Sequence, residues 1–430
     1  MNRQYRWSLT LLLLLPHTAP AQEIEFTLEN GKHDFDPTPV RVPLQWPKDK
    51  AVPKLVRLNS EKKRSYGQLV EPSFGTDKIK AEDGKIRKDV VFLTHMKSNE
   101  TARYTLHSVP DDFDPMFAVT SWKDRPGESL DLMVSHAKKS FPIVRYMYPT
   151  YDPSSPAARN KTYKVFHHLF DPSGSGQIVT NGGQTDEFKN EKDLLFPHHR
   201  GLMYAFNKCQ YGGKSADTWH CTNDAHISHQ KHLFQSSGVV TAEHRVLLHW
   251  HGPKDEVFAE EERNVSANAL QHGTLIDFSS RLTTKLPKVR LDGDPQHAGF
   301  QFRAHNDVAK KTAKETYYLR PDGKGKPGET RNWDPKTRQG PVNLPWDVLS
   351  FVLDGKRYSV AYIDHPNNPG EKRYSERDYG RFGCYFEYDF TPENPLVVNY
   401  RVWLQEGEMT AEQVERLRQA FVDPPRVSVK

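Results

Sequence analysis

Alternation of apolar and polar positions dominates this chain. It is clear in His244–Trp250, where Val246, Leu248 and Trp250 fall on one side, in Thr274–Ser279, and in Leu396–Leu404, where Leu396, Val398, Tyr400, Val402 and Leu404 do the same. A period of two puts these residues on one face of a half-buried strand, so the three stretches predict antiparallel sheet. Between Ser350 and Ile363 two apolar runs flank Asp354-Gly355, the pair that supplies both left-handed residues of a tight hairpin turn. Earlier, short runs such as Val90-Val91-Phe92-Leu93 and Phe117-Ala118-Val119-Thr120 alternate with turn-rich pieces such as Pro110-Asp111-Asp112 and Asp124-Arg125-Pro126-Gly127, and predict further strands between Val40 and Val144. One helix is expected: Thr410 caps Ala411 to Phe421, Gln413 completes a capping box, and Val414, Leu417 and Phe421 form one stripe. The pattern therefore predicts an all-β protein of the β-sandwich kind with a short C-terminal helix.

Two changes of pattern divide the chain. Arg3 and Arg6 precede a short apolar run with five consecutive leucines, and Ala19-Pro20-Ala21 follows with small residues suited to a signal peptidase. Residues 1–21 are expected to be a cleaved signal peptide, which implies a secreted or periplasmic protein. No cysteine follows the cleavage position, and no later segment reaches 18 apolar residues, so neither a lipid anchor nor a membrane span is expected. Pro149, Pro153 and Pro156 around Ser154-Ser155 have the composition of a connector. They place a boundary near residue 155, between an N-terminal β-domain (22–155) and a His-rich β-sandwich domain (156–430).

Composition narrows the function classes. At 430 residues, 36% hydrophobic and 27% charged, with 31 Pro and 26 Gly, the chain is long enough for a large core and rich in turns. The net charge of +5 is dispersed among 60 basic and 55 acidic residues, without a basic stripe that would track nucleic acid. Lys324–Arg331 has the Lys and Gly of a phosphate loop but lacks its Gly-Lys-Ser/Thr ending, and reads as an exposed loop. Cys209 and Cys221 are close enough in sequence for a bridge in an exported protein, whereas Cys384 stands alone.

Histidine carries the candidate chemistry, because nine of the twenty lie between His198 and His251. Neutral imidazole binds transition metals and also transfers protons near neutrality. His226, His229 and His232 recur every third residue without a helical context, and His249 and His251 fall on the polar side of their strand. The most distinctive piece is Pro197-His198-His199-Arg200-Gly201, two imidazoles and a guanidinium beside a glycine that lets the backbone pass closely. A second is Asp364-His365-Pro366-Asn367-Asn368-Pro369 with Arg377-Asp378-Tyr379-Gly380, polar residues at strand ends where clefts form. For each, the competing reading is a turn network in which His and Asp merely hold the backbone.

These segments together, Tyr163-x-x-Phe-His167, Asp171-Pro-Ser-Gly174, Pro197 to Leu202, Thr218-Trp-His220, His229, Asp364 to Pro369 and Arg377 to Gly380, with Arg64 to Val70 as an early strand, resemble the PmoA-like family of exported bacterial proteins. The sequence departs from that pattern at His168 and in the Cys209 and Gly212-Gly213 linker. The resemblance implies a β-supersandwich of the mutarotase-like sort and a saccharide ligand. It does not imply a methane-oxidising membrane subunit, which is multi-helical.

Two functions follow as expectations. The first is a carbohydrate-active enzyme of the lyase, hydrolase or epimerase type. His199 or His365 would move a proton and Arg200 or Arg377 would hold an anionic or developing-charge oxygen. His198, Tyr204, Trp219, Asp364, Asn367, Asp378 and Tyr379 would contact the sugar. A divalent metal, zinc or calcium, would sit at His167, His220 and His229, imidazole favouring zinc. The second is a glycan-binding protein with the same aromatic and polar rim and no turnover. Ser173 and Ser175 lack the glycine two positions before a nucleophile-elbow serine, and neither HExxH nor CxxC occurs, which excludes serine-hydrolase, zincin and thiol-redox readings.

Overall fold

The computed structural model describes residues 23–109, 119–136, 139–182 and 195–429. The expected signal segment, and the turn and strand start expected at 110–118, lie outside them. The described chain is all β apart from short helices.

Two nine-stranded sheets pack face to face. The front sheet runs in the order Arg331–Asn332, Arg373–Arg377, Arg381–Tyr385, Ala298–Arg303, Leu202–Phe206, Phe166–Leu169, Lys139–Met147, Ser129–His136, Val119–Arg125. The back sheet begins with His226–Ser236, Ala242–His251, Val257–Leu270 and Gly273–Thr283, continues through Leu396–Glu406, Lys356–Asp364 and Asp347–Leu353, and ends at Tyr317–Arg320 and Gly323–Lys324. Aromatic side chains from both sheets fill the space between. Phe278 stacks on Phe300 with ring centres 4.3 Å apart, Phe300 on Tyr400 at 4.7 Å, and Tyr204 meets Trp250 edge-on at 5.9 Å.

The alternations predicted from sequence appear here as strands, with Val246, Leu248, Trp250, Val398, Tyr400 and Val402 buried. Asp354 and Gly355 both adopt positive φ (47° and 77°) and join Asp347–Leu353 to Lys356–Asp364, as a two-residue turn of that sequence should. The helix Ala411–Val422 has the expected capping box: Gln413 N donates to Thr410 Oγ1 at 3.2 Å and Thr410 N to Gln413 Oε1 at 2.9 Å. Its apolar stripe packs with Trp346, Trp403 and Leu275 on the outer side of the back sheet.

Residues 23–108 form a separate seven-stranded sheet whose last strand is the C-terminal Arg426–Val429, paired with Glu23–Glu29. The expected boundary near residue 155 is corrected here. Lys139–Met147 pairs directly with Phe166–Leu169 (Phe166 opposite Met147, Leu169 opposite Val144), so the strands from Val119 onward belong to the front sheet. The proline-rich stretch is a connection inside that sheet, where Ser155 caps the short helix Pro156–Thr162. The bridge that the spacing of Cys209 and Cys221 allows is not formed: Cys209, Cys221 and Cys384 are three separate buried thiols. Cys209 Sγ faces Phe206 O and Cys221 Sγ faces Thr218 O, so neither is aimed at the other.

Candidate functional site

Strand period decides which residues of the front sheet face away from the core. In Ala298–Arg303, Phe300 and Phe302 point inward, which leaves Gln301 and Arg303 on the outer face. Register then aligns Arg303 with Arg381 and Arg381 with Arg377, so three guanidinium side chains occupy one row across three adjacent strands. Like charges in directly opposed positions are unfavourable. Arg303 and Arg381 are fully buried, and among the described residues no carboxylate pairs with any of the three. Arg381 is held by Gln301 Oε1 at 2.9 Å and Ser375 Oγ at 2.8 Å, both neutral acceptors. Arg303 Nε and Nη2 and Arg377 Nε are buried without any partner. Burial and the neighbouring Arg381 push the Arg303 guanidinium down to about 10.

Three loops cover this row. Residues 195–200 run across it because Gly201 takes φ 41° and passes so near the preceding strand that a Cβ there would lie 2.0 Å from His167 O. The turn 217–221 and the turn 294–297 complete the cover. Together they gather His198, His199, Trp219, His220 and His297: ring centres are 4.3 Å apart for His198 and His199, 4.6 Å for His198 and His220, 4.9 Å for His220 and His297, and 5.6 Å for His199 and Trp219. Tyr379 joins them, nearly parallel to His199 at 6.2 Å and beneath Arg303 and Arg377 at 5.0 and 5.4 Å. The result is a half-exposed rim of His198, His220, His297, Arg377 and Tyr379 over a buried floor of His199, Trp219, Arg303 and Arg381. Both ring nitrogens of His199 and the Trp219 Nε1 have no partner. Burial first, then the adjoining cations, holds His199 neutral, and burial with Lys164 does the same for His198.

Of the expected site residues, the structure brings together His198, His199, Trp219, His220, Arg377 and Tyr379. Asp378 stands at the edge, its Oδ1 accepting from Thr330 Oγ1 at 3.4 Å. The others are elsewhere, each for a clear reason. Arg200 stacks on Tyr163 at 4.3 Å and donates to the Pro197, Asn160 and Lys161 carbonyls, tying down the helix Pro156–Thr162. Tyr204 faces the core between the sheets. Asp364, His365 and Asn367 form a turn network: Asn368 Nδ2 donates to Asp364 Oδ1 at 2.9 Å, Asn367 N to His365 Nδ1 at 3.2 Å, and the His365 ring abuts Phe421 of the C-terminal helix. His167 and His229 do not meet His220. His167 Nε2 lies 3.1 Å from His244 Nε2 inside the sandwich, and His229 Nδ1 lies 3.1 Å from Tyr146 Oη.

Sequence reasoning missed His297, Arg303 and Arg381. Their signals were present but faint: Asp294-x-x-His297 repeats the spacing of Asp217-x-x-His220, and a single arginine ends one mostly apolar strand and begins another.

Two groups of side chains could hold a metal ion among the described residues, His198 with His220 and His297, and His226 with His251 and Asp255. The second lies beside a cleft of about 430 Å³ lined by Tyr148, Tyr151, His226, Ser228 and His229. A bulge between Trp250 and His251 turns His251 toward His226 there. Three of its four ring nitrogens are already engaged, with His251 Nε2 2.8 Å from Ser228 Oγ, His251 Nδ1 2.8 Å from Asp255 Oδ1, and His226 Nδ1 2.8 Å from Asp224 O.

Residues 134–419 match a family described as "Family of unknown function (DUF6807)". The chain belongs to this family. The matched span contains every residue of the rim and floor. No curated protein matches the chain. Among solved structures, an α-mannosidase from Enterococcus faecalis V583 has 10% identity and a TM-score of 0.38, covering 95% of this chain and 46% of its own. A glycosyl hydrolase family 38 protein from Enterococcus faecalis has 9% identity and a TM-score of 0.37, covering 95% and 47%. This chain thus spans about half the length of either. No helix of the described residues is long and apolar enough to cross a membrane.

Proposed function

We propose that this DUF6807 protein is an exported carbohydrate-active enzyme whose outer front-sheet site takes a saccharide bearing an anionic group. The observation that carries the reading is the row of Arg303, Arg381 and Arg377 without a carboxylate partner among the described residues. Two uncompensated buried charges raise the potential beneath the rim, and Arg377, the half-exposed guanidinium of the row, is placed to meet the anion. Tyr379 offers a half-exposed ring face of the kind that packs against a sugar.

The chemistry that suits this arrangement begins with removal of the proton next to a carboxylate. Guanidinium groups stabilise the charge that develops on the carboxylate oxygens, and a nearby imidazole accepts the proton. His199, with both ring nitrogens unpartnered, supplies that acceptor. Lyases and epimerases of acidic sugars share this first step, and both rank above a hydrolase here, because no pair of free carboxylates flanks the site among the described residues.

The test is turnover of uronate-containing oligosaccharides, followed by unsaturated or epimerised product. Wild-type protein should convert at least one such substrate. His199→Ala should lower kcat by about 10²–10⁴-fold with binding largely kept. Binding without turnover in the wild type would instead support a non-catalytic glycan receptor.

A further inference from the structure

His220 and His297 are oriented by the same local device. Asp217 Oδ1 accepts from Trp219 N at 3.0 Å and His220 N at 2.8 Å while its Oδ2 sits 2.8 Å from His220 Nδ1. Asp294 Oδ1 accepts from Gln296 N at 2.9 Å and sits 3.0 Å from His297 Nδ1. A carboxylate at Nδ1 takes that N–H, so in each ring the lone pair is left on Nε2. His198 brings a third ring from a different loop, and none of its nitrogens has a hydrogen-bond partner among the described residues. One nitrogen from each ring lies within 4.8 Å of the other two. Each neutral ring keeps one nitrogen lone pair, and a cation placed among the three can take one from each. Carboxylate-anchored imidazoles are the usual support of a bound metal.

We propose that His198, His220 and His297 form a binding site for a divalent transition metal of the zinc class, with Asp217 and Asp294 as the anchors that orient two of the three ligands. Three imidazoles select zinc, cobalt or nickel over calcium and leave a coordination position for water or a ligand oxygen. The two aspartates offset the charge of the ion. The Lys164 ammonium beside the site is turned toward the His198 and Trp219 carbonyls. The His226, His251 and Asp255 group differs in that both ring nitrogens of His251 are already engaged, by Ser228 Oγ and Asp255 Oδ1. The metal site goes beyond the saccharide reading and does not depend on it.

The experiment is metal analysis of full-length protein purified without chelator, then stripped and titrated with Zn²⁺ or Co²⁺, with the Co²⁺ absorption spectrum as a second readout. About one ion per chain is expected, with cobalt ligand-field bands, and both should be lost in His220→Ala and His297→Ala but kept in His226→Ala. Asp294→Asn retains the ligand itself, and should weaken the metal about 10–100-fold in chelator competition while circular dichroism stays native. The proposal is overturned by the absence of saturable Zn²⁺ or Co²⁺ binding, by metal that persists in both histidine variants, or by an unchanged affinity in a folded Asp294→Asn. Because no readout involves a sugar, failure here leaves the saccharide reading to its own test.

Discussion

At the scale of single residues, the site contrasts with a place in the fold that looks much like it in sequence. His199 and His365 are both histidines in distinctive polar loops. One has two free ring nitrogens in a buried floor, and the other accepts a backbone N–H and packs on Phe421. Sequence gives the residue type at a strand end but not whether the loop closes on itself or over a sheet, so of the residues it singles out the structure brings His198, His199, Trp219, Arg377 and Tyr379 together and places Arg200, Tyr204 and Asp364 elsewhere. Arg303 and Arg381 were hidden because an arginine in a strand usually means a solvent-facing position.

Asp364 shows what such misplacement means physically. Its carboxyl is buried between the sheets, with Cys384 Sγ 3.1 Å from Oδ2 and Lys372 as the nearest cation, and burial raises it from 3.8 to about 6. A raised carboxyl favours the folded state when protonated. Its contribution is therefore complete below pH 3.8 and is lost as pH rises through about 6, on the order of 3 kcal/mol in all. Relative to wild type, Asp364→Asn should gain stability steadily across that window in denaturation series at fixed pH steps. A difference that does not vary with pH would show that the carboxyl titrates normally in the fold.

At the scale of elements, tight turns decide whether the site can assemble. The Asp354-Gly355 hairpin and the Thr410 cap were readable because their chemistry is local, two positive φ angles in one case and two reciprocal hydrogen bonds in the other. The loop carrying His198 and His199 depends on a non-local approach, Gly201 against the His167 carbonyl. Sequence marked the glycine but not what it passes. Gly201→Ala forces a left-handed φ on a residue with a side chain and a Cβ into that carbonyl, and should cost on the order of 3 kcal/mol or more in urea denaturation. A cost under about 1 kcal/mol would mean that the loop does not need this close passage.

At the scale of the whole molecule, three layers are tied together by a few polar contacts that sequence could not pair. The strands themselves were legible, but the order in which distant ones join was not: Arg426–Val429 completes the N-terminal sheet, and Val119–Met147 crosses into the front sheet. Gln68 of the N-terminal sheet illustrates the ties. Its Oε1 accepts from Val240 N and Thr241 N, each at 3.1 Å, in the turn between two back-sheet strands, while Arg41 reaches Glu243 at 2.8 Å. Gln68→Leu strands two buried amides and should cost about 2–4 kcal/mol, with hydrogen exchange accelerating first at Val240 and Thr241. Unchanged exchange at those amides would place the coupling of the two sheets elsewhere.

In the proposed function the outer face of the front sheet is built for an anionic saccharide. Calorimetric titration with a hexuronate and its neutral hexose counterpart of the same ring stereochemistry tests it most directly, in wild type and in Arg377→Met. Wild type should bind the uronate at least about tenfold more tightly than the neutral sugar, and Arg377→Met should remove most of that preference. Equal affinity for the two sugars, or a preference that survives in Arg377→Met, would contradict it.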